Sequence, residues 1–228
     1  MIQKSFSSTY IFIAPLALIA VTLLFYALAR WLTISISLSL TGLGALGWTI
    51  SLILRIPCLV LLRKLFGEQS QSQMVWLSGP TEELTRAVLV VFAAHTVAEG
   101  YALGLGWATI EVLYTIMQML ALHSLQERTD EQAILIKSLI AQQGMKKVLN
   151  EENLWWGVAE RLSASAIHIG LTLTLVAQPW LALITAPLHS VLNYTAIRIV
   201  KHSAAFAELF IFGAALVLFT GGLLLTMR

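Results

Sequence analysis

Glu82, Glu83 and Arg86 stand together in an otherwise apolar stretch, and Glu111, His168, His189 and Asn193 follow in three further apolar stretches. Carboxylates and imidazoles are the side chains that take and give protons near neutral pH. A carboxylate drawn out of water becomes a stronger base and can activate a water molecule. A histidine can donate a hydrogen bond to a developing oxyanion. Glutamate and histidine are also zinc ligands, so Glu111, His168 and His189, with Glu82 or Glu83, form a candidate ligand set. No His-Glu-x-x-His run occurs, which excludes a zincin helix. A metal site assembled from separate segments stays open.

The spacing groups these residues if the stretches are helical. Glu82 and Arg86 are four apart and share a face, as are His189 and Asn193, and Trp107 and Glu111. Arg161 and His168 are seven apart, nearly one face. Other polar residues read as structure. His95 looks like a satisfied histidine near a span end, and His123 and His202 like solvated ones. Arg55 snorkels or pairs with a buried glutamate, Glu160 neutralises Arg161, and Glu208 is interfacial or paired. Cys58 is the single cysteine and reads as a small core residue.

Composition says what must hold the set in place. Of the 228 residues 58% are hydrophobic and 11% charged, against roughly 25% charged in a soluble domain. The mean hydropathy is +0.82. Lipid must therefore solvate most of the exterior, and a chain in lipid has to satisfy its backbone internally. The long Leu-, Ala- and Ile-rich runs point to helices. The expected fold is all-α, a single transmembrane domain over 1–228. Spans are predicted near 10–29, 41–62, 75–98, 101–123, 154–178, 180–200 and 204–226. The first resembles a signal peptide but is too long for one, and is read as an uncleaved span. The connection 124–153 contains an amphipathic surface helix. The net charge of +2 argues against a nucleic-acid partner.

Lysine and arginine set the orientation. Lys4, Arg63, Lys64, Arg128, Lys137, Lys146, Lys147, Arg198 and Lys201 fall on one side, and Arg30 and Arg228 on the other. This bias puts the N-terminus and the 124–153 connection in the cytoplasm and the C-terminus outside. At 1.5 Å per residue, Glu82 and Glu83 lie ~12 Å from the cytoplasmic face, Glu111 ~18 Å, His168 ~21 Å and His189 ~16 Å. Four consecutive spans thus level their ionisable groups in one slab. Ser78-Gly79-Pro80-Thr81 reads as a helix break, with Pro80 at a first helical position. A span beginning there would leave the two glutamates interfacial and hydrated.

At these residues the sequence resembles a known group. Glu82-Glu83-Leu84-Thr85-Arg86 resembles the Glu-Glu-x-x-Arg/Lys motif of PrsW- and YhfC-type membrane proteases. Trp107-Ala108-Thr109-Ile110-Glu111 is similar to the aromatic-x-x-x-Glu second motif of PrsW. Glu160-Arg161 with His168, and His189-x-x-x-Asn193, resemble the later motifs. The Glu-Arg pair and the glycine-rich approach from Gly100 to Gly106 look closest to the YhfC family. The wider relatives are the CAAX prenyl endopeptidases. The chain departs from these by one residue fewer before Arg86, and by Glu111 where they carry histidine, which argues against prenylated substrates. The likeness covers about 75–200.

The resemblance implies an intramembrane endopeptidase of the cell membrane, multi-pass in a bacterial cytoplasmic membrane, acting on a membrane-protein or peptide substrate. Glu82 or Glu83 would activate water and Arg86 would hold the glutamate pair. His168 and His189, with Asn193, would bind a metal such as zinc or stabilise the oxyanion. Two other classes share these residues. One is a non-enzymatic scaffold or chaperone with a protease-like fold. The other is a proton-coupled transporter, although no internal repeat accompanies the residues.

Overall fold

The computed structural model describes residues 8–66, 72–142 and 154–227. These residues form eight α-helices and no strand. They are α1 (Ser8–Trp31), α2 (Leu38–Phe66), α3 (Ser72–Ala93), α4 (Val97–Glu127), α5 (Glu131–Gln142), α6 (Leu154–Ala177), α7 (Ala182–Val200) and α8 (Ala204–Thr226). A 3-10 turn, Pro179–Leu181, joins α6 to α7. Four helices contain stretches long and apolar enough to cross a membrane: Ile11–Trp31, Leu38–Leu65, Val97–Glu127 and Ala204–Thr226. Exposed Phe12, Phe92, Phe206 and Val217 face outward where a soluble protein would carry charge. The chain is a membrane protein built from apolar helices. The other long helices, α3, α6 and α7, carry most of the ionisable residues singled out above.

α4 stands at the centre. It packs on α1, α2 and α6, while α8 lies along α6 and α3 along both α2 and α7. The main apolar core joins Val21, Phe25 and Ala29 of α1 to Tyr101 and Leu105 of α4 and Ile169 and Leu173 of α6. The Tyr101 hydroxyl donates to the Phe25 carbonyl at 2.8 Å, which satisfies a buried phenol at the α1–α4 contact. α2 and α4 approach so closely that a β-carbon on Gly106 would run into the Thr41 carbonyl.

The expected break at Gly79-Pro80 does not occur. α3 starts at Ser72 and runs through Pro80, so Glu82 and Glu83 lie in its middle and not in a hydrated first turn. Proline lacks the N–H that would bond the carbonyl four residues back. Here the Ser190 hydroxyl of α7 donates to that carbonyl, on Trp76, at 2.8 Å. Membrane helices tolerate proline where a neighbour re-satisfies the backbone in this way. Gly79 allows the approach, since a β-carbon there would meet the Ala186 carbonyl of α7.

The boundary between the third and fourth spans also differs from expectation. α3 ends at Ala93 and α4 begins at Val97, with a capping box from Thr96 and Glu99. His95 therefore lies exposed in the linker, and its N–H donates to Glu99 at 2.8 Å. Within the long connection, α5 exposes Ile134, Leu135 and Leu139. The Arg128 guanidinium and the Ala133 N–H hold the Asp130 carboxyl down at about 2, fixing the start of α5. Residues 143–153, with Lys146 and Lys147, lie outside the described residues, as does Lys4.

Candidate functional site

Five helices meet around the residues singled out by their spacing. α3 supplies Glu82, Glu83 and Arg86; α4 supplies Trp107 and Glu111; α6 supplies Arg161 and His168; α7 supplies His189; α2 adds Arg55. The centre is sealed: Glu83 and Arg86 have no exposure, and Glu82, His168 and His189 keep 3%, 4% and 5%.

Each buried carboxylate pairs with a guanidinium, and the half-exposed Glu160 shares that of Glu111. Arg86 Nη1 donates to Glu83 Oε1 at 2.6 Å. Arg161 Nη1 pairs with Glu111 Oε1 at 2.9 Å, and its other arm with Glu160. Arg55 pairs with Glu82 Oε1. Three glutamates, Glu82, Glu83 and Glu111, thus face three arginines, and the centre is balanced in charge. Such balance is what a buried ionic cluster needs, because an unmatched charge costs several kcal/mol. The expected Glu82–Arg86 pair is the looser one, at 3.9 Å.

The histidines link these pairs, and the network fixes their protons. A guanidinium can only donate, so Arg86 Nη2, 2.9 Å from His168 Nδ1, makes that nitrogen an acceptor. His168 Nε2 must then carry the hydrogen, which it gives to Glu111 Oε2 at 2.5 Å. His189 Nδ1 donates to Glu83 Oε1 at 2.7 Å, so in the neutral ring the lone pair is on Nε2. That Nε2 lies 3.9 Å from Glu82 Oε2. Glu82 Oε2 also accepts from the Trp107 indole at 3.2 Å, and Arg86 lies over the Trp107 ring at 4.4 Å. The two acceptor atoms are too far apart to touch, but one water ~2.8 Å from each would bridge them.

A metal does not fit this arrangement. Among the described residues no group of three His, Cys, Asp or Glu side chains is placed to hold one. Both nitrogens of His168 and both oxygens of Glu111 are already engaged, which leaves His189, Glu82 and the unpartnered Glu83 Oε2, and these are not grouped to hold an ion. Zinc sites take at least three protein ligands. Nor does His168 keep a free N–H for an oxyanion. Asn193 stands apart: its amide donates to Ser78 at 2.9 Å and ties α7 to α3.

Arg55, expected to snorkel or to pair with a buried glutamate, pairs with Glu82, although spacing did not group it with the site. It lies eight residues before Arg63, ~12 Å into the membrane and so level with Glu82, and that depth was the available signal. It also lines a cavity of about 280 Å³ between α2, α4 and α6, walled by Trp48, Arg55, Glu111, Thr115, Gln118 and Arg161 among others. No family model, no curated protein and no solved structure matches the chain.

Proposed function

We propose that this chain is an intramembrane peptidase, as its resemblance to the YhfC and PrsW proteases implies, and that of the two glutamates Glu82 is the general base. The observation that carries the reading is the 3.9 Å spacing between Glu82 Oε2 and His189 Nε2 inside a sealed, charge-balanced centre. Both atoms accept hydrogen bonds, so a water between them presents both its hydrogens to them and its lone pairs to a substrate. Glu82 takes a proton as the water oxygen bonds to the scissile carbonyl carbon. It returns that proton to the amide nitrogen as the C–N bond breaks. Glu83 orients His189, and Arg86 holds Glu83 and His168 in register. In this reading seven helices span the membrane, α5 lies on the cytoplasmic face, the N-terminus is cytoplasmic and the C-terminus outside. The substrate is a membrane protein or peptide.

Changing Glu82→Gln keeps the side chain's size and removes the base. In proteoliposomes with a set of fluorogenic transmembrane peptides, kcat falls by about 100-fold or more. Unchanged turnover in that variant would end the reading of Glu82 as base. A wild-type protein that cleaves no peptide but retains a partner through purification would favour the scaffold.

The transporter reading has one observation in its favour, the unbroken chain of ionisable groups from Glu160 to His189. Two of its links are arginines, which stay protonated at every working pH and so interrupt a proton relay.

A further inference from the structure

A buried hydrolase consumes water, and the cluster described above has almost no surface of its own. We propose that the cavity between α2, α4 and α6 is the chamber through which water reaches the cluster, and that Arg55 latches it by pairing with Glu82. The proposal rests on the reading of the cluster as a site that acts on water.

Position supports the chamber. Its lining runs from Trp48 to Arg55 in the middle of α2, from Glu111 to Gln118 in α4 and through Glu160 and Arg161 in α6, so it extends from mid-bundle toward the end where α2 and α4 finish. Its walls carry Gln118, Thr115, Tyr114 and Glu160, which are polar groups that lipid would not solvate. Three of its lining residues, Arg55, Glu111 and Arg161, are also members of the cluster. Glu111 bonds His168, and Arg55 bonds Glu82.

Contacts support the latch. Glu82 has one oxygen on Arg55 and the other on Trp107, which is fully buried. Approach to Glu82 from the chamber is therefore approach past Arg55, whose side chain keeps 17% of its exposure. Arg55 Nε is buried with no hydrogen-bond partner among the described residues, as are Arg86 Nε and Arg161 Nε, but of the three only Arg55 both lines the chamber and bonds Glu82 closely. The chamber wall offers a swung-out guanidinium other carboxylates, on Glu111 and Glu160. The swung-out Arg55 thus keeps a carboxylate partner, and the freed Glu82 retains the Trp107 indole and Arg86 at 3.9 Å.

Thiol labelling tests this without any turnover, so its failure is separable from failure of the peptidase reading. In a Cys58→Ser background, single thiols are placed by Thr115→Cys in the chamber, His189→Cys behind the latch, and Leu105→Cys in the core. The probe is the charged reagent 2-sulfonatoethyl methanethiosulfonate, applied to the full chain in proteoliposomes. The thiol at 115 reacts readily. The thiol at 189 reacts slowly, and about tenfold faster or more once Arg55→Ala or Arg55→Gln opens the latch. Arg55→Lys, which keeps the pair, stays slow. The thiol at 105 stays unreactive throughout, which certifies folding. An unreactive thiol at 115 overturns the chamber. A rate at 189 that ignores Arg55, in whichever of the two neutral variants keeps 105 protected, overturns the latch.

Discussion

Arg86 touches Glu83, His168 and the face of Trp107, so one side chain sets the positions of three others. Removing it strands Glu83 as a buried anion and leaves His168 Nδ1 without a donor. Arg86→Ala is therefore expected to destabilise the protein by ~3–5 kcal/mol, read as a lowered midpoint of unfolding in detergent. Arg86→Lys keeps the charge but cannot reach two acceptors with a planar fork, and should fall between. At this scale spacing and depth disclosed much. Glu83, Glu111, His168 and His189 could be grouped from the sequence alone because intramembrane ionisable residues are rare, and four spans placed theirs at one level. The partners could not be assigned. Glu82 and Arg86 share a face, yet Glu82 turns to Arg55 on another helix. Asn193 shares a face with His189, yet bonds Ser78. Helical phase fixes which side a residue is on, and the neighbouring helix decides what it meets.

The α3–α7 contact brings Glu83 to His189, and Gly79 and Pro80 govern it. A methyl group at Gly79 must push α3 away from Ala186. Gly79→Ala is expected to cost ~1–3 kcal/mol and to lower kcat with it, because the 2.7 Å link from His189 to Glu83 lengthens. Gly157→Ala, where a β-carbon meets nothing, should change neither. Thermal unfolding and turnover measured on both variants check this. Sequence reasoning placed the span from about 75 but read Ser78-Gly79-Pro80-Thr81 as a helix break, because glycine and proline usually end helices. The groups that let α3 continue, Ser190 on Trp76 O and the bare Cα facing Ala186, come from a helix far along the chain. Most helices themselves were readable from apolar runs of sufficient length. The α3–α4 boundary was not, because hydropathy is insensitive to the Thr96–Glu99 capping box that sets it.

The molecule as a whole is an apolar bundle around a neutral ionic centre, and orientation is the property that belongs to this scale. In the proposed orientation the α2–α3 and α4–α6 connections are cytoplasmic. Reporter fusions should give cytoplasmic signal after Lys64 and Lys137, and external signal after His95 and the C-terminal Arg228. The reverse pattern at His95 would refute seven spans in that order. The pairing of Arg55 with Glu82 also constrains biogenesis. Each of these charges costs ~2.5–3.5 kcal/mol to insert alone at a helix centre. α2 leaves the ribosome before α3, so its arginine waits for a glutamate not yet made. The two helices are best delivered to lipid together, as a hairpin whose charges cancel before the translocon releases either one.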